Sequence, residues 1–276
     1  MDGSLEISIP GVNMEFNSPI LFVLIDGLRP DALEQATLPA LKGLISQASY
    51  TLHARTVFPS VTLPCITSIF LSATPEMHST IGNYFNSNDW QAPGLIDAFH
   101  QAGGRTAAFY NWEQLRDISR PGSLDFSICL NQAESPDLPL GESDKLVAEM
   151  ASSFLANYSL DFTFVYLGCL DTAGHRHGWM STEYLKTLEN ADHCVDKLLN
   201  AIRPSTQVVL ASDHGGHGDS HGSDEDIDMT VPLIIRGNSH KTGELPEPVS
   251  VLDIAPSIAH LAGVDIPTEW MGKSLL

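Results

Sequence analysis

The chain has 276 residues, 43% of them hydrophobic, enough to bury a sizeable core. A formal charge of −20 argues against a nucleic-acid polymer or an anionic membrane surface as partner. Small anionic substrates stay open, because bound divalent cations would set the local field. No run approaches the roughly 18 apolar residues of a membrane span, and Met1-Asp-Gly-Ser-Leu-Glu6 lacks the basic start and apolar stretch of a signal peptide. The four cysteines (Cys65, Cys129, Cys169, Cys194) are scattered with no CxxC pair, so a cytoplasmic protein with reduced thiols is expected.

The run Leu21-Phe-Val-Leu-Ile-Asp26 reads as a buried strand, and Pro30-Asp31 opens a helix expected to reach about Ser46. Thr62 in Phe58-Pro-Ser-Val-Thr62-Leu-Pro64 stands as an N-cap leading into Cys65–Leu71. Residues 74–94, rich in Gly, Asn and Pro, read as loop around at most a short element. Then follow a short helix over Ile96–Ala102 and strands over Arg105–Tyr110 and Asp125–Cys129. Asn131–Gly141 reads as a surface loop, and a helix spans Ser143–Asn157. The second acid-ended run is Phe164-Val-Tyr-Leu-Gly-Cys-Leu-Asp171. Tyr184, Leu188, Ala191, Val195, Leu198 and Ile202 then recur at helical spacing. The third run, Val208-Val-Leu-Ala-Ser-Asp213, follows directly. Val231-Pro-Leu-Ile-Ile235 reads as an edge strand because of its proline, and a last helix over Val251–Leu261 stops at Gly263. Alternating strands and helices with no linker predict a single domain over 1–276. The expected fold is α/β: a doubly wound, mostly parallel central sheet flanked by helices on both faces.

In such sheets, ligands bind outside the carboxyl ends of the strands, where Asp26, Asp171 and Asp213 would all lie. Asp213-His214-Gly-Gly-His217-Gly-Asp-Ser-His221 packs three histidines into a glycine-rich loop, and Asp171-Thr-Ala-Gly-His175 adds a fourth. A lone histidine after a strand is usually structural, and Asp171-Thr-Ala-Gly also fits an ordinary Asx turn. Three acids delivered with imidazoles to one edge point instead to metal. The carboxylate–imidazole mix suits Zn²⁺, with Mn²⁺ the second choice, and fits Ca²⁺ or a structural Cys-type zinc poorly. A threonine at a helix start sits where the dipole favours an anion, and a metal there would turn its hydroxyl into a nucleophile.

These residues resemble the alkaline phosphatase superfamily, most closely its type I phosphodiesterase/nucleotide pyrophosphatase branch. The resemblance rests on Phe22-Val-Leu-Ile-Asp26-Gly-Leu-Arg-Pro-Asp31, Phe58-Pro-Ser-Val-Thr62-Leu-Pro64, Pro75-Glu-Met-His78 with Ile81-Gly-Asn83, Asp171-x-x-Gly-His175-x-x-Gly178, Ser212-Asp-His-Gly215, and His221-Gly ahead of Val231-Pro-Leu-Ile-Ile235. Each piece is weak alone, but together they run in order from about residue 18 to 265. The resemblance implies a two-metal phosphoryl-transfer site: Asp26, Thr62, Asp213 and His214 on one ion, Asp171, His175 and His221 on the other. It further implies attack by Thr62 to form a phospho-threonine, and an Asn83 hydrogen bond to a non-bridging phosphate oxygen. The alternatives are a plain turn role for Asn83 and His217 in place of His221.

The implied substrate is a small phosphodiester, a nucleotide among the options. The alternatives are a phosphomonoesterase or phosphonate hydrolase on the same site, or a non-catalytic metal-binding protein. A monoester carries extra charge and favours a nearby cation; Arg29, Arg55, Arg105, Arg116 and Arg120 are the candidates. Thr62-x-Pro64-x-Ile66 has the frame of a sulfatase signature without its opening cysteine or serine and closing arginine, which argues against a sulfatase. Ser79 stands where the branch has glycine. With no room for large insertions, a leaving-group pocket draws on residues 84–94, 110–122 and 176–184. There Phe85, Trp90, Tyr110, Trp112 and Trp179 either stack on a base or join the core.

Overall fold

The computed structural model describes residues 16, 18–84, 92–130, 138–237 and 242–276. The three acid-ended runs become strands β1 (Ile20–Ile25), β5 (Phe162–Leu167) and β6 (Gln207–Ala211), each buried along its whole length. β1 pairs in parallel with both of the others, Phe22 lying between Phe164 and Val209. Runs that are apolar at every position suit strands covered on both faces, and alternation divides their side chains between two cores. Phe22 and Leu24 join Ile66 and Phe70 from helix α3 (Thr62–Leu71), Phe99 from α5 (Leu95–Gln101) and Ile258 from α10 (Ile254–Ala262). Leu21, Val23 and Ile25 face Val147 from α6 (Glu142–Asn157) and Leu188 and Val195 from α8 (Thr182–Ala201).

Strands β3 (Thr106–Tyr110) and β4 (Phe126–Cys129) extend one flank in parallel. The other flank holds β7 (Thr230–Arg236), β2 (Ser49–Arg55) and the two-residue β8 (Gly243–Glu244). The full order is β4-β3-β5-β1-β6-β7-β2-β8, and β7 runs antiparallel to both its neighbours. The sheet is therefore mixed and mostly parallel, with helices on both faces, as the alternation of elements predicts.

Four expectations change. The helix expected from Pro30 to Ser46 is two, α1 (Ala32–Gln35) and α2 (Pro39–Ile45). Pro39 disfavours helical geometry in the residue before it, and the Asp192 carboxylate caps the restart by accepting from Ala40 N–H at 3.1 Å and Leu41 N–H at 2.8 Å. β2 was not visible in the sequence, because its polar residues and alternating exposure give no continuous apolar run. β7 is interior rather than an edge: Pro232 faces the register shift in β2 between Thr51 and Ala54, where a missing N–H costs no ladder bond. Lastly, β5 stops at Leu167, and Asp171 lies on a helix, α7 (Cys169–His177), rather than at the strand end or on a turn. Phe85 and Trp90, and residues 131–137 of the expected surface loop, lie outside the described residues.

Candidate active site

The carboxyl ends of β5, β1 and β6, adjacent in the sheet, supply the site. Asp26 follows β1 directly, and Asp213 and His214 follow β6. All three are buried, at 2%, 0% and 0% exposure. Gly27 makes the turn after Asp26 with φ +69°, and a Cβ there would lie 3.3 Å from Asp171. A small residue with left-handed freedom is required at that contact. The turn is held by the Ser212 hydroxyl, which accepts from Leu28 N–H at 2.9 Å, and by Tyr184 and Trp179, which both donate to the Gly27 carbonyl.

Asp26, Asp213 and His214 form one group whose ligand atoms lie within 4.8 Å of one another; Asp171, His175 and His221 form the other. In the first, His214 Nε2 is 3.2 Å from Asp26 Oδ1, 3.5 Å from Asp213 Oδ2 and 3.1 Å from Thr62 Oγ1. In the second, Asp171 reaches His175 Nε2 at 3.5 Å, one helical turn along α7, and His221 Nε2 at 3.6 Å. The His214 and His221 rings stack with centroids 3.8 Å apart, which sets the two groups side by side. The three ligand-type histidines share one arrangement. Nδ1 of His214, His175 and His221 lies 2.7, 2.8 and 2.8 Å from the carbonyls of Gly215, Asp219 and Ser60. Each Nδ1 donates to a carbonyl, which fixes the ring and leaves Nε2 facing the carboxylates, the arrangement in which a metal-ligating imidazole is usually held.

The electrostatics fit cations. Asp26 Oδ1 and Asp213 Oδ2 are buried and accept no hydrogen bond among the described residues, a costly state for carboxylate oxygens unless a positive charge sits between them. Burial and the nearby Asp26 carboxylate push Asp213 up to about 8. Burial opposes the shift at His214, yet Asp213 and Asp26 raise it to about 10. Burial would also raise Asp26, but the His214 imidazole close beside it, with the Tyr166 hydroxyl bond, brings it below the usual carboxylate range. Two hard-oxygen acids, imidazole lone pairs and a hydroxyl on one small volume match the donor set of Zn²⁺ or Mn²⁺.

Thr62 is the first residue of α3, not its N-cap; Val61 holds that position with no side-chain cap. The missing capping oxygen comes from Asn83, whose Oδ1 accepts from Leu63 N–H at 3.0 Å. The Thr62 hydroxyl is thereby released to face His214, and the Asn83 NH₂ is left as its donor. Asn83 is thus tied to the start of the helix that carries Thr62 rather than being a turn residue alone. Thr62, Asn83, Asp26, Asp171, His175 and His221 all line one cavity of about 60 Å³, with Trp112 and Tyr166 on its wall.

His217 does not join either group: its Nδ1 is 2.8 Å from Asp228 Oδ1. Asp228 was missed in the sequence, and it organises the loop. Its carboxylate also accepts from Ser223 N–H at 2.9 Å and Ser223 hydroxyl at 2.7 Å, while its carbonyl accepts from Gly215 N–H. Asp228→Ala, which leaves the part-buried Ser223 N–H and hydroxyl and the His217 ring without their acceptor, is expected to lower stability by about 1–3 kcal/mol. A denaturant-unfolding curve checks this, and a loss under about 0.5 kcal/mol would show that the carboxylate does not hold the loop.

Trp179 and Tyr110 are core residues, not pocket walls. A Cβ on Gly174 or Gly216 would collide with the Trp179 ring at 2.6 or 2.2 Å, so Trp179 clamps α7 to the histidine loop. Gly216 therefore serves that contact rather than flexibility around an ion. Of the candidate arginines, Arg29 pairs with Asp31, Arg55 with Asp226, Arg116 with Glu113 and Arg120 with Asp97. No Arg or Lys is among the described residues lining the cavity.

The chain is 27% identical over 236 residues to ectonucleotide pyrophosphatase/phosphodiesterase family member 1 of Rattus norvegicus, covering 76% of this chain and 25% of the relative. It spans no more than about a third of the length of these curated relatives. The wild-type alkaline phosphatase PafA superposes with a TM-score of 0.78 at 12% identity, covering 97% of this chain and 99% of that one. An inactive threonine-to-alanine form of murine ectonucleotide pyrophosphatase/phosphodiesterase 5, in complex with AMP, superposes with a TM-score of 0.74 at 14% identity, covering 91% and 96%. The model of the type I phosphodiesterase / nucleotide pyrophosphatase family matches residues 20–229. With that match across most of the chain and an alkaline phosphatase-like sheet beneath it, the protein belongs to the type I phosphodiesterase / nucleotide pyrophosphatase family.

Proposed function

We propose that this protein hydrolyses small phosphodiesters, nucleotides among them, through a covalent phospho-threonine on Thr62. The observation that carries the reading is the meeting of one hydroxyl, Thr62 Oγ1, with two adjoining carboxylate–imidazole groups at the sheet's carboxyl edge. Asp26, Thr62, Asp213 and His214 would hold one divalent cation and Asp171, His175 and His221 a second, Zn²⁺ ahead of Mn²⁺. Such ions would lower the hydroxyl pKa and neutralise charge building on the phosphate.

The chain's own residues then act in two displacements. Thr62 Oγ attacks phosphorus in line, and the bond to the leaving alcohol breaks as the new P–O bond forms. The Asn83 NH₂ donates to a non-bridging oxygen, and the first turn of α3 points its dipole at the same charge. A water next attacks the phospho-threonine, the P–O bond to Thr62 breaks, and the hydroxyl is restored as a phosphomonoester leaves. Trp112 and Tyr166 wall off the cavity and limit solvent. The arginines paired away from the cavity support a diester, whose single charge needs less cationic help than a monoester's. Four cysteines without a disulfide support a reducing compartment, the cytoplasm.

The test is metal analysis of purified protein together with kcat/KM on an aryl phosphodiester, an aryl phosphomonoester and a dinucleotide. Two bound divalent ions and a diester preference of at least about tenfold are expected. A wide preference for the monoester would move the activity to the phosphomonoesterase alternative, and metal binding without turnover would make the protein a non-catalytic binder.

A further inference from the structure

Three remote segments meet in a buried polar knot beside the site. Asn111 follows β3, Asp144 lies in the first turn of α6, and Gly168–Cys169 begins α7 after β5. Asn111, Ser143 and Asp144 are all essentially inaccessible, at 0%, 1% and 1% exposure. Asn111 Oδ1 accepts from Gly168 N–H at 3.1 Å, and its NH₂ donates to Asp144 Oδ1 at 2.7 Å and to the Ser143 hydroxyl at 2.9 Å. Asp144 Oδ1 also accepts from Cys169 N–H at 3.2 Å. Asp144 Oδ2 is buried with no hydrogen-bond partner among the described residues.

A helix leaves its first N–H groups without intrahelical partners, and a local Ser, Thr, Asp or Asn usually caps them. α7 begins at Gly168-Cys169 and has no local side-chain cap. Two of its leading N–H groups are satisfied instead by a remote amide and a remote carboxylate. Nothing larger than glycine fits at the joint, because a Cβ on Gly168 would lie 2.8 Å from the Tyr166 ring and 3.0 Å from Asn111 Oδ1. Asp171 is on the first turn beyond this cap, and His175 is one turn further. The position of both is therefore set at the helix start. A buried carboxylate with an unpartnered oxygen is unfavourable for folding, and apolar packing would serve stability as well. Its placement serves geometry.

We propose that Asn111 and Asp144 are positioning residues that cap α7 from a distance and thereby hold the Asp171–His175 half of the metal site, leaving the Asp26–Asp213–His214 half to other supports. The inference rests on the two-metal reading above. It touches only the second ion, because the first group is anchored on β1 and β6 and held by Ser212 and Tyr166.

The test is a zinc titration of metal-free protein by calorimetry, with Co²⁺ absorption as a second view of ligand geometry. The unmutated protein is measured first: fewer than two ions there would overturn the two-metal reading and this inference with it. Asn111→Ala and Asp144→Ala are expected to weaken the second ion at least about tenfold while the first changes by less than about threefold. Asp144→Asn, which keeps Oδ1 as an acceptor, is expected to restore most of the affinity. The double variant Asn111→Leu with Asp144→Leu keeps the buried volume filled and removes the unpartnered Asp144 oxygen, while leaving the Gly168 and Cys169 N–H groups without their acceptors. Circular dichroism and a melting curve establish which variants are folded before titration, and the same selective loss is expected in each folded one. Parent affinity for both ions in the folded double variant, or equal weakening of the two, would overturn the positioning role while leaving the functional reading intact.

Discussion

Thr62→Ala is expected to lower phosphodiester turnover by at least about 10⁴-fold while the protein stays folded and keeps most of its metal. The size follows from the role: removing a nucleophile removes the covalent path, and such losses reach several orders of magnitude in other enzymes. Retention of metal follows from the geometry, since Asp26, Asp213 and His214 converge without the threonine and the second group does not include it. The fold should also persist. Thr62 is not the cap of α3, whose Leu63 N–H is satisfied by Asn83, and alanine is a good helix former. Steady-state rates on an aryl phosphodiester with elemental analysis of the same sample decide the matter. Turnover within about tenfold of the parent would remove Thr62 as nucleophile, whatever the metal content.

Removing metal is expected to reduce turnover to background and to lower Tm by roughly 8–16 °C. Ligand at about a thousand times its Kd stabilises by about 4 kcal/mol, and each kcal/mol shifts a chain of this size by about 2–4 °C. The cause lies in Asp26 Oδ1 and Asp213 Oδ2, buried acceptors with no hydrogen-bond partner among the described residues. Without a cation they face each other across His214 alone. Dialysis against a chelator, a melting curve and titration back with Zn²⁺ check both halves. Full activity in protein shown to be metal-free would rule out a metal-assisted reaction.

Local pattern made most of this site legible. Apolar runs announce buried parallel strands and put Asp26 and Asp213 just past two of them, and the structure brings Asp171 together with His175 and His221, and Asp213 and His214 together with Asp26. The less legible parts depend on partners far away in the chain. Whether His217 or His221 joins the second group turns on Asp228 and Ser60, which fix the ring orientations. The sequence order of the loop says nothing about them. Thr62 looked like an N-cap because nothing nearby hinted that Asn83, 20 residues on, supplies the capping oxygen. β2 escaped notice because its stability comes from pairing with β7 rather than from an apolar run of its own.

By itself the amino-acid order determined the buried central strands, their alternation with helices, and that Asp26, Asp213 and His214 follow two of those strands. These follow from periodicity and turn chemistry, which act between near neighbours in the chain. Only the tertiary structure decided that α7 rather than a turn carries Asp171, that Trp179 binds helix and loop together, and that Asn111 and Asp144 reach across to the start of that helix. Such contacts depend on where separate elements come to rest against one sheet, and hydrogen bonds and close packing act over a few ångströms of space with no regard for separation along the chain.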